Sequence, residues 1–261
     1  MNTSISTRQQ VWGLEQRALA SSGSLSIPQS PLSLRYKARR ALQQPREHRT
    51  REVARRALNL FVAVLGIALT APLMIVIALL VRVTSRGPVI FRQQRVGIDR
   101  RAPLDQDAIN RRRSRDLGGT IFTIYKFRTM RVDATAKEVW ASRDDPRVTP
   151  VGRFLRATRL DELPQFFNVL KGDMNIVGPR PEQPEIFQNL REKLGRYGSR
   201  QQVLPGITGL AQIEVGYDTD IEGVQRKVAL DLEYIRRRSA AKDLMIMART
   251  VPVMVFKKVW M

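Results

Sequence analysis

The sequence contains no cysteine and a single histidine, His48. The absence of cysteine excludes disulfide bonds, thiolate catalysis and cysteine-ligated metals from this chain. His48 lies in an arginine-rich stretch far from any other concentrated motif, which excludes a Ser-His-Asp triad or a two-histidine metal site unless another chain contributes. Any chemistry must therefore be carried by carboxylates, hydroxyls and arginines.

Acidic residues are also scarce, because 24 Asp and Glu stand against 45 Lys and Arg and give a formal net charge of +21. Such a balance favours a polyanionic partner, which could be nucleic acid, an anionic membrane surface or a phosphorylated substrate. The 261 residues, of which 43% are hydrophobic, can form one good-sized domain or two small ones.

The first part of the chain has little hydrophobic periodicity. Residues 1–45 are rich in Ser, Gln, Pro and Arg, which predicts a disordered basic tail. No apolar core follows a charged start within the first 30 residues, so a secretory signal is not predicted. Residues 46–86 combine a basic juxtamembrane run with a long apolar segment, which suits the anionic lipid of an inner membrane.

That apolar segment, residues 57–81, contains no charged residue and is long enough to cross a bilayer as a helix. Pro72 stands near its middle, where proline kinks or breaks a helix. Both flanks are strongly basic, so the positive-inside rule assigns both ends to the cytoplasm. A re-entrant hairpin broken at Pro72 satisfies both flanks and is favoured over a complete span, which stays open as the alternative.

Residues 87–261 predict a folded domain of helices and short strands. The patterns indicate strands near 88–93 and 120–130, and helices over 151–158, 183–196, 224–237 and 242–260. Residues 99–119 form an arginine-rich insertion. The last helix is predicted either to lie on the membrane interface or to pack in the core. The fold class expected is α+β, mostly helical, with few short strands.

Two adjacent acids, Asp161 and Glu162, stand at the start of a predicted amphipathic helix. Pro164 fits the first turn of a helix there, and Gly172 suits its end. A helix N-terminus favours ionised acids, which would suit a nucleophilic or metal-binding carboxylate. The alternative is that Asp161 is an N-cap and Glu162 a favourable first-turn acid. The lack of other catalytic side chains favours the first interpretation.

Two cations, Lys126 and Arg128, fall on one face of the strand predicted at 120–130. A pair of cations on one face suits a phosphate, although exposed charges on an amphipathic strand are a common alternative.

Five motifs occur in order: residues 125–130 (YKFRTM), 160–165 (LDELPQ), 168–174 (NVLKGDM), 177–181 (VGPRP) and 205–212 (PGITGLAQ). Together they resemble the bacterial sugar transferase family, the monotopic polyprenyl-phosphate phosphoglycosyl transferases. The resemblance runs from about residue 53 to the C-terminus. It implies a re-entrant helix hairpin packed with a small cytoplasmic catalytic domain that carries interfacial amphipathic helices.

The resemblance also implies a reaction. A sugar 1-phosphate moves from a UDP-sugar to undecaprenyl phosphate, UMP is released, and exopolysaccharide or related glycan synthesis begins. Asp161 would be the nucleophile, and Glu162, with Asp161, would bind Mg²⁺. The matching positions for binding substrate or phosphate are Lys126, Arg128, Arg156, Pro179, Arg180, Pro181 and, with weaker support, Asp231. No nucleic-acid partner is expected, and a homodimer is left open.

The sequence departs from the family pattern at two places. The insertion at 99–119 leaves the local geometry before the 125–130 motif open, though not the acidic pair, and the segment 213–218 leaves the sugar undetermined. The competing hypothesis is a membrane-associated basic scaffold or nucleic-acid-binding protein without catalysis. That hypothesis explains the arginines but not the ordered acidic and Gly-Pro motifs, and the chain lacks a recognisable nucleic-acid reader motif.

Overall fold

The computed structural model describes residues 31–99, 118–132, 145–215 and 221–256. The chain divides into two compact units, Met1–Arg49 and Thr50–Met261. The first helix, α1, spans Pro31–Thr84. The structure is thus helical from Pro31, where the sequence predicted a tail to residue 45. The rest of that tail and nearly all of the arginine-rich insertion lie outside the described residues.

The second unit is mostly helical and contains few short strands. After α1 come β1 (Ile90–Val96), β2 (Ile121–Phe127), α2 (Pro150–Thr158), α3 (Gln165–Lys171), β3 (Asn175–Val177), α4 (Pro184–Lys193), β4 (Gly206–Thr208), α5 (Leu210–Glu214), α6 (Ile221–Arg237) and α7 (Ala240–Phe256). Two 3-10 helices occupy Leu160–Glu162 and Tyr197–Gln202. This confirms the mostly helical α+β class.

From Thr50 to Thr84, α1 is the one helix of the described residues that is long and apolar enough to cross a membrane, with a mean hydropathy of 2.8. Only 11% of its apolar window is buried. The core helix of a soluble domain would be mostly covered, so the exposed apolar face of α1 requires an apolar environment. The large exposed side chains of this face are Phe61, Val64, Leu65, Leu69, Leu73, Ile75, Val76, Leu79, Leu80 and Val83.

The opposite stripe of α1 packs against the later elements. Ala63, Ile77 and Val81 are each at most 2% exposed. A Cβ added at Gly66 would lie 2.8 Å from Cζ of Phe166, so the absent side chain makes room for that ring. The helix therefore contacts the rest of its unit at several points along its length.

Both ends of this apolar stretch are held by the same unit. Near its start, Arg55 donates from Nε to Oδ2 of Asp243 at 3.0 Å. Beyond its end, Arg128 donates from Nη2 to the carbonyls of Ser85 at 2.6 Å and Val81 at 3.3 Å. These contacts tie the start and the end of the apolar helix to one body.

The sequence predicted a break in the helix at Pro72. The structure instead keeps helical conformation through this residue. Two causes of bending nonetheless coincide in this turn. Pro72 lacks the N–H that would bond one turn back, and Thr70 donates from Oγ1 to the carbonyl of Gly66 at 2.6 Å. The re-entrant hairpin stays a prediction.

Strands β1 and β2 form an antiparallel pair in which Ile90 lies opposite Phe127 and Arg92 opposite Tyr125. Helix α3 closes the open edge of β2, because Asn168 donates from Nδ2 to the carbonyl of Thr123 at 2.7 Å and accepts from N–H of Tyr125 at 3.1 Å. A side-chain amide thus replaces a strand partner beside the acidic pair.

Strands β3 and β4 pair in parallel. Their approach is close, because a Cβ at Gly206 would lie 2.0 Å from the backbone nitrogen of Gly178. The largest buried cluster lies around these strands and includes Val169, Ile176 and Tyr234. This packing fixes the turn that follows β3.

Candidate active site

The acidic pair lies in a tight turn between two helices. Thr149 caps α2, accepting at Oγ1 from N–H of Gly152 at 2.9 Å, and Arg159 ends α2 in the left-handed region with φ 57°. The 3-10 helix that follows contains Asp161 and Glu162. A non-glycine residue in the left-handed region is uncommon and costs free energy, as is frequent at functional sites.

This geometry corrects the expectation that a helix begins at the acidic pair. Pro164 is the N-cap of α3 and does not lie in its first turn, so the pair precedes the α-helix. The ending at Gly172, with φ 87°, is confirmed. The helix dipole therefore contributes less to the charge of these acids than the sequence suggested, and the neighbouring cations matter more.

Glu162 is 7% exposed and sits among three cations. Its Oε1 accepts from Nζ of Lys126 at 2.8 Å and from Nη1 of Arg180 at 3.3 Å. Its Oε2 accepts from Nη1 of Arg159 at 3.5 Å. Burial acts to raise the pKa of Glu162, but these charges outweigh it and hold the pKa far below its usual range.

Asp161 is 8% exposed and differs from its neighbour. Among the described residues, its carboxylate accepts no hydrogen bond and forms no ion pair. Burial and the adjacent charge of Glu162 raise the pKa of Asp161 to about 6, against the lowering effect of Lys126, Arg180 and Arg156. At neutral pH most of Asp161 is ionised, and its oxygens are available to attack an electrophile or to bind a cation.

Lys126 lies near the end of β2, which directs its ammonium to the acidic pair. Burial lowers the pKa of Lys126, the charge of Arg180 lowers it further, and Glu162 opposes both. Arg156, on α2, acts on Asp161 through its charge. Lys126 and Arg180 thus contact the acidic pair, and Arg156 acts on Asp161 electrostatically.

Arg180 projects from a turn that the parallel strands hold rigidly. Gly178 donates its N–H to the carbonyl of Thr208 at 2.9 Å, and the carbonyl of Pro179 accepts from N–H of Gly206 at 2.9 Å. The carbonyl of Pro181 accepts from Nη1 of Arg95 at 3.1 Å. The two prolines are buried and shape the turn, while the Arg180 guanidinium reaches Glu162.

Two of the predicted residues lie elsewhere. Arg128 follows the last residue of β2, so strand alternation does not carry it to the face of Lys126; its Nη2 instead bonds the end of α1. Asp231 is 2% exposed and accepts at Oδ2 from Nε of Arg200 at 2.7 Å. Neither side chain has a hydrogen bond to the acidic pair in the described part of the chain.

Sequence reasoning missed two arginines. Arg159 immediately precedes the acids, and its position in the motif was a usable signal. Arg200 donates from Nη2 to the carbonyl of Arg180 at 3.1 Å while Asp231 and the hydroxyl of Tyr197 hold its other nitrogens at 2.7 Å. No local pattern around residue 200 indicates this role, which depends on tertiary contacts.

The acids suit a magnesium ion that is completed by substrate. No group of three or more His, Cys, Asp or Glu that could hold a metal occurs among the described residues. Mg²⁺ is usually held by one or two carboxylates, phosphate oxygens and water, so a complete protein cage is unnecessary. The unbonded carboxylate of Asp161 beside Glu162 provides such a partial donor set.

Comparison with known proteins agrees with this geometry. The sequence profile of the bacterial sugar transferase family matches residues 50–257. The chain is 40% identical over 204 residues to the UDP-glucose:undecaprenyl-phosphate glucose-1-phosphate transferase of Caulobacter vibrioides, covering 77% of this chain and 69% of that protein. It is 42% identical over 200 residues to the enzyme of the same name from Escherichia coli, covering 76% of this chain and 39% of that protein.

The name of a third relative gives a different sugar. The UDP-N-acetylgalactosamine-undecaprenyl-phosphate N-acetylgalactosaminephosphotransferase of Aeromonas hydrophila is 39% identical over 198 residues, covering 76% of this chain and 42% of that protein. The chain thus spans less than half the length of some relatives. The hypothesis of a scaffold without catalysis is set aside, because the chain belongs to the bacterial sugar transferase family and is an enzyme of that transferase type.

Proposed function

We propose that the protein transfers a hexose 1-phosphate from a UDP-sugar to undecaprenyl phosphate and so initiates exopolysaccharide or related glycan synthesis. The supporting observation is the contrast within the acidic pair: Glu162 is held by three cations, whereas Asp161 is buried, ionisable and unbonded among the described residues. A perturbed carboxylate of this kind, set among phosphate-binding cations, suits a nucleophile.

The reaction consists of two displacements at one phosphorus. An oxygen of Asp161 attacks the phosphorus that carries the sugar, the bond to the bridging oxygen breaks, and UMP leaves. An oxygen of undecaprenyl phosphate then attacks the same phosphorus and displaces Asp161, giving the diphosphate-linked sugar. Covalent catalysis of this kind divides one difficult exchange into two easier steps.

The cations give the site its affinity for the donor. Lys126, Arg156 and Arg180 each act on Asp161 through their charge, and a bound diphosphate would exchange part of the Glu162 contact for charge-assisted bonds to these cations. Mg²⁺, held by Asp161 and Glu162, would supply charge neutralisation at the phosphate oxygens. Because the Arg180 turn is fixed by backbone hydrogen bonds, this cation is positioned before substrate arrives.

The contacts of α1 support a monotopic anchor. A helix that crossed the bilayer would leave one of its ends on the far side, yet Arg55 and Val81 both bond the same unit. We propose that α1 enters one leaflet of the bacterial inner membrane, bends near Pro72, and leaves the catalytic residues at the cytoplasmic surface. Substrates that meet at this surface need no pore.

Covalent labelling tests the proposed reaction. Purified protein incubated with Mg²⁺ and a panel of UDP-sugars, without lipid, is expected to release UMP and to gain the mass of one sugar phosphate on Asp161. The Asp161→Asn variant is expected to do neither. Glu185→Gln, which changes an exposed acid on α4, is the matched control and should behave as the wild type. Full UMP release by Asp161→Asn would sink the proposal.

The absence of cysteine makes the topology directly testable. Single cysteines introduced at Ser24 and at Glu185 can be labelled in sealed inner-membrane vesicles with an impermeant maleimide. A re-entrant α1 predicts that both positions label from the same side. Labelling of the two from opposite sides would establish a complete span and leave the chemistry of the site to be judged on its own.

A further inference from the structure

A groove of about 530 Å³ lies between α1, the β1–β2 pair and the segment from Pro164 to Lys171, which includes α3. Its walls are apolar and include Ile75 and Ala78 from α1, Phe127 from β2 and Phe167 from α3. Ile75 is 63% exposed and Phe167 43%, so the groove opens outward. The opening is continuous with the exposed apolar face of α1, which also carries Leu79 at 62% exposure.

Two cations lie among the lining residues, and no Asp or Glu is among the described residues that line it. Arg92 is exposed on β1, directly opposite Tyr125. Lys171 donates from Nζ to the hydroxyl of Tyr125 at 2.6 Å and lies 4.5 Å from the centre of its ring. The two cations thus lie near one tyrosine beside an apolar channel.

Strand alternation separates this groove from the reaction. Side chains of adjacent strand residues point to opposite faces, so Lys126 reaches Glu162 on one face while Tyr125 and Phe127 line the groove on the other. A phosphate held by Arg92 and Lys171 would therefore not lie at Asp161. The groove is suited to a lipid that is bound but not consumed.

We propose that this groove binds one anionic membrane phospholipid. One of its acyl chains lies along Ile75, Ala78 and Phe167, and its phosphate lies between Arg92 and Lys171. The apolar walls, the opening onto the exposed face of α1 and the two cations match the two ends of such a molecule. The bound lipid would fill the space between the apolar helix and the β1–β2 pair and fix the height of the catalytic unit at the membrane.

Native mass spectrometry of the detergent-purified full chain tests the proposal, with dioleoylphosphatidylglycerol and dioleoylphosphatidylcholine as probes. The wild type is expected to retain one phosphatidylglycerol in preference to phosphatidylcholine. Removing both cations with Arg92→Gln and Lys171→Gln should reduce that preference by about 10- to 30-fold, since each basic residue near an anionic headgroup contributes roughly a fivefold effect.

Two single variants separate the groove from general membrane affinity. Ala78→Phe, which fills the groove, should reduce retention of both lipids. Arg86→Gln removes an exposed cation that lies two residues beyond the end of α1 and outside the groove, and it should leave the retention of both lipids unchanged. The proposal is overturned if the double variant keeps the preference, or if Arg86→Gln reduces it equally. Displacement of phosphatidylglycerol by undecaprenyl phosphate, one for one, would also overturn it and assign the groove to the acceptor.

Discussion

The second unit contains two kinds of buried acid, and they differ in how completely they are satisfied. Asp243 is fully buried and accepts from Nε of Arg55 at 3.0 Å and from the hydroxyl of Tyr234 at 2.8 Å. At the acidic pair, Glu162 forms ion pairs with three cations, whereas Asp161 forms none within the part of the chain that the structure describes. One cluster is closed by its own hydrogen bonds, and the other is left open at one carboxylate.

The pKa directions follow from burial, but their consequences differ. Burial raises the pKa of Asp243 against the charge of Arg55, and it raises the pKa of Asp161 to about 6 with the help of Glu162. In the first case the ion pair joins α1 to α7 and needs nothing further. In the second, the neighbouring cations form ion pairs with Glu162, and none of the described residues forms one with Asp161. An open buried carboxylate is destabilising, which is expected where it serves function.

Asp161→Asn is expected to have the largest effect on activity and little effect on stability. Activity is expected to fall by roughly 10⁴-fold or more, as when a covalent nucleophile is removed. The midpoint of thermal unfolding should stay equal or rise, because a neutral amide replaces a buried charge without a partner. UMP release and differential scanning fluorimetry measure the two. A large fall in the unfolding midpoint would show that Asp161 has structural partners like those of Asp243.

Asp243→Asn should have the opposite pattern. Loss of this charge leaves Arg55 buried without its main partner, which is expected to lower the free energy of unfolding by about 3 kcal/mol. The activity of the protein that remains folded should stay near the wild-type value. Denaturant titration together with active-site-normalised UMP release checks this. Loss of chemistry with unchanged stability would place Asp243 in the reaction.

Asp231→Asn lies between these two cases. Asp231 holds Arg200, and Arg200 holds the carbonyl of Arg180, so the change should loosen the turn that positions the Arg180 guanidinium. We expect kcat to fall about tenfold with a smaller change in KM, because misplaced catalytic groups reduce rate without removing binding contacts. The control is Asp231→Glu, which keeps the charge. Equal losses in both variants would indicate only a packing role.

The same acids show which parts of the fold and the site could be predicted from the sequence. The apolar helix, the β2 strand, the end of α3 at Gly172 and the grouping of Lys126 and Arg180 with the acids followed from local patterns and motifs. The 3-10 geometry did not follow, because it depends on Arg159 adopting the left-handed region. Propensity does not predict that conformation for arginine.

Tertiary contacts explain where two of the predicted residues lie. Arg128 and Asp231 were expected near phosphate because their charges suit it. Arg128 instead donates from Nη2 to Ser85, while its Nε and Nη1 are buried without a hydrogen-bond partner in the described part of the chain, and Asp231 pairs with Arg200. A sequence shows which residues carry charge but not which contacts they form after folding. Whether a buried acid has its hydrogen-bond partners, as Asp243 does, or lacks them, as Asp161 does among the described residues, could therefore be established only from the structure.

Lys126→Gln tests how far the charge of Lys126 lowers the pKa of Asp161. Asp161 must be ionised to attack, so activity should rise with pH through about 6, the pKa of Asp161. The charge of Lys126 lowers the pKa of both acids, so its removal should raise the pKa of Asp161. The acid limb of kcat/KM is then expected to move to higher pH, whereas Lys126→Arg, which keeps the charge, should leave it near its original position. If the acid limb does not move in Lys126→Gln, a group other than Asp161 sets the pH dependence. The nucleophilic carboxylate would then have to lie outside the acidic pair.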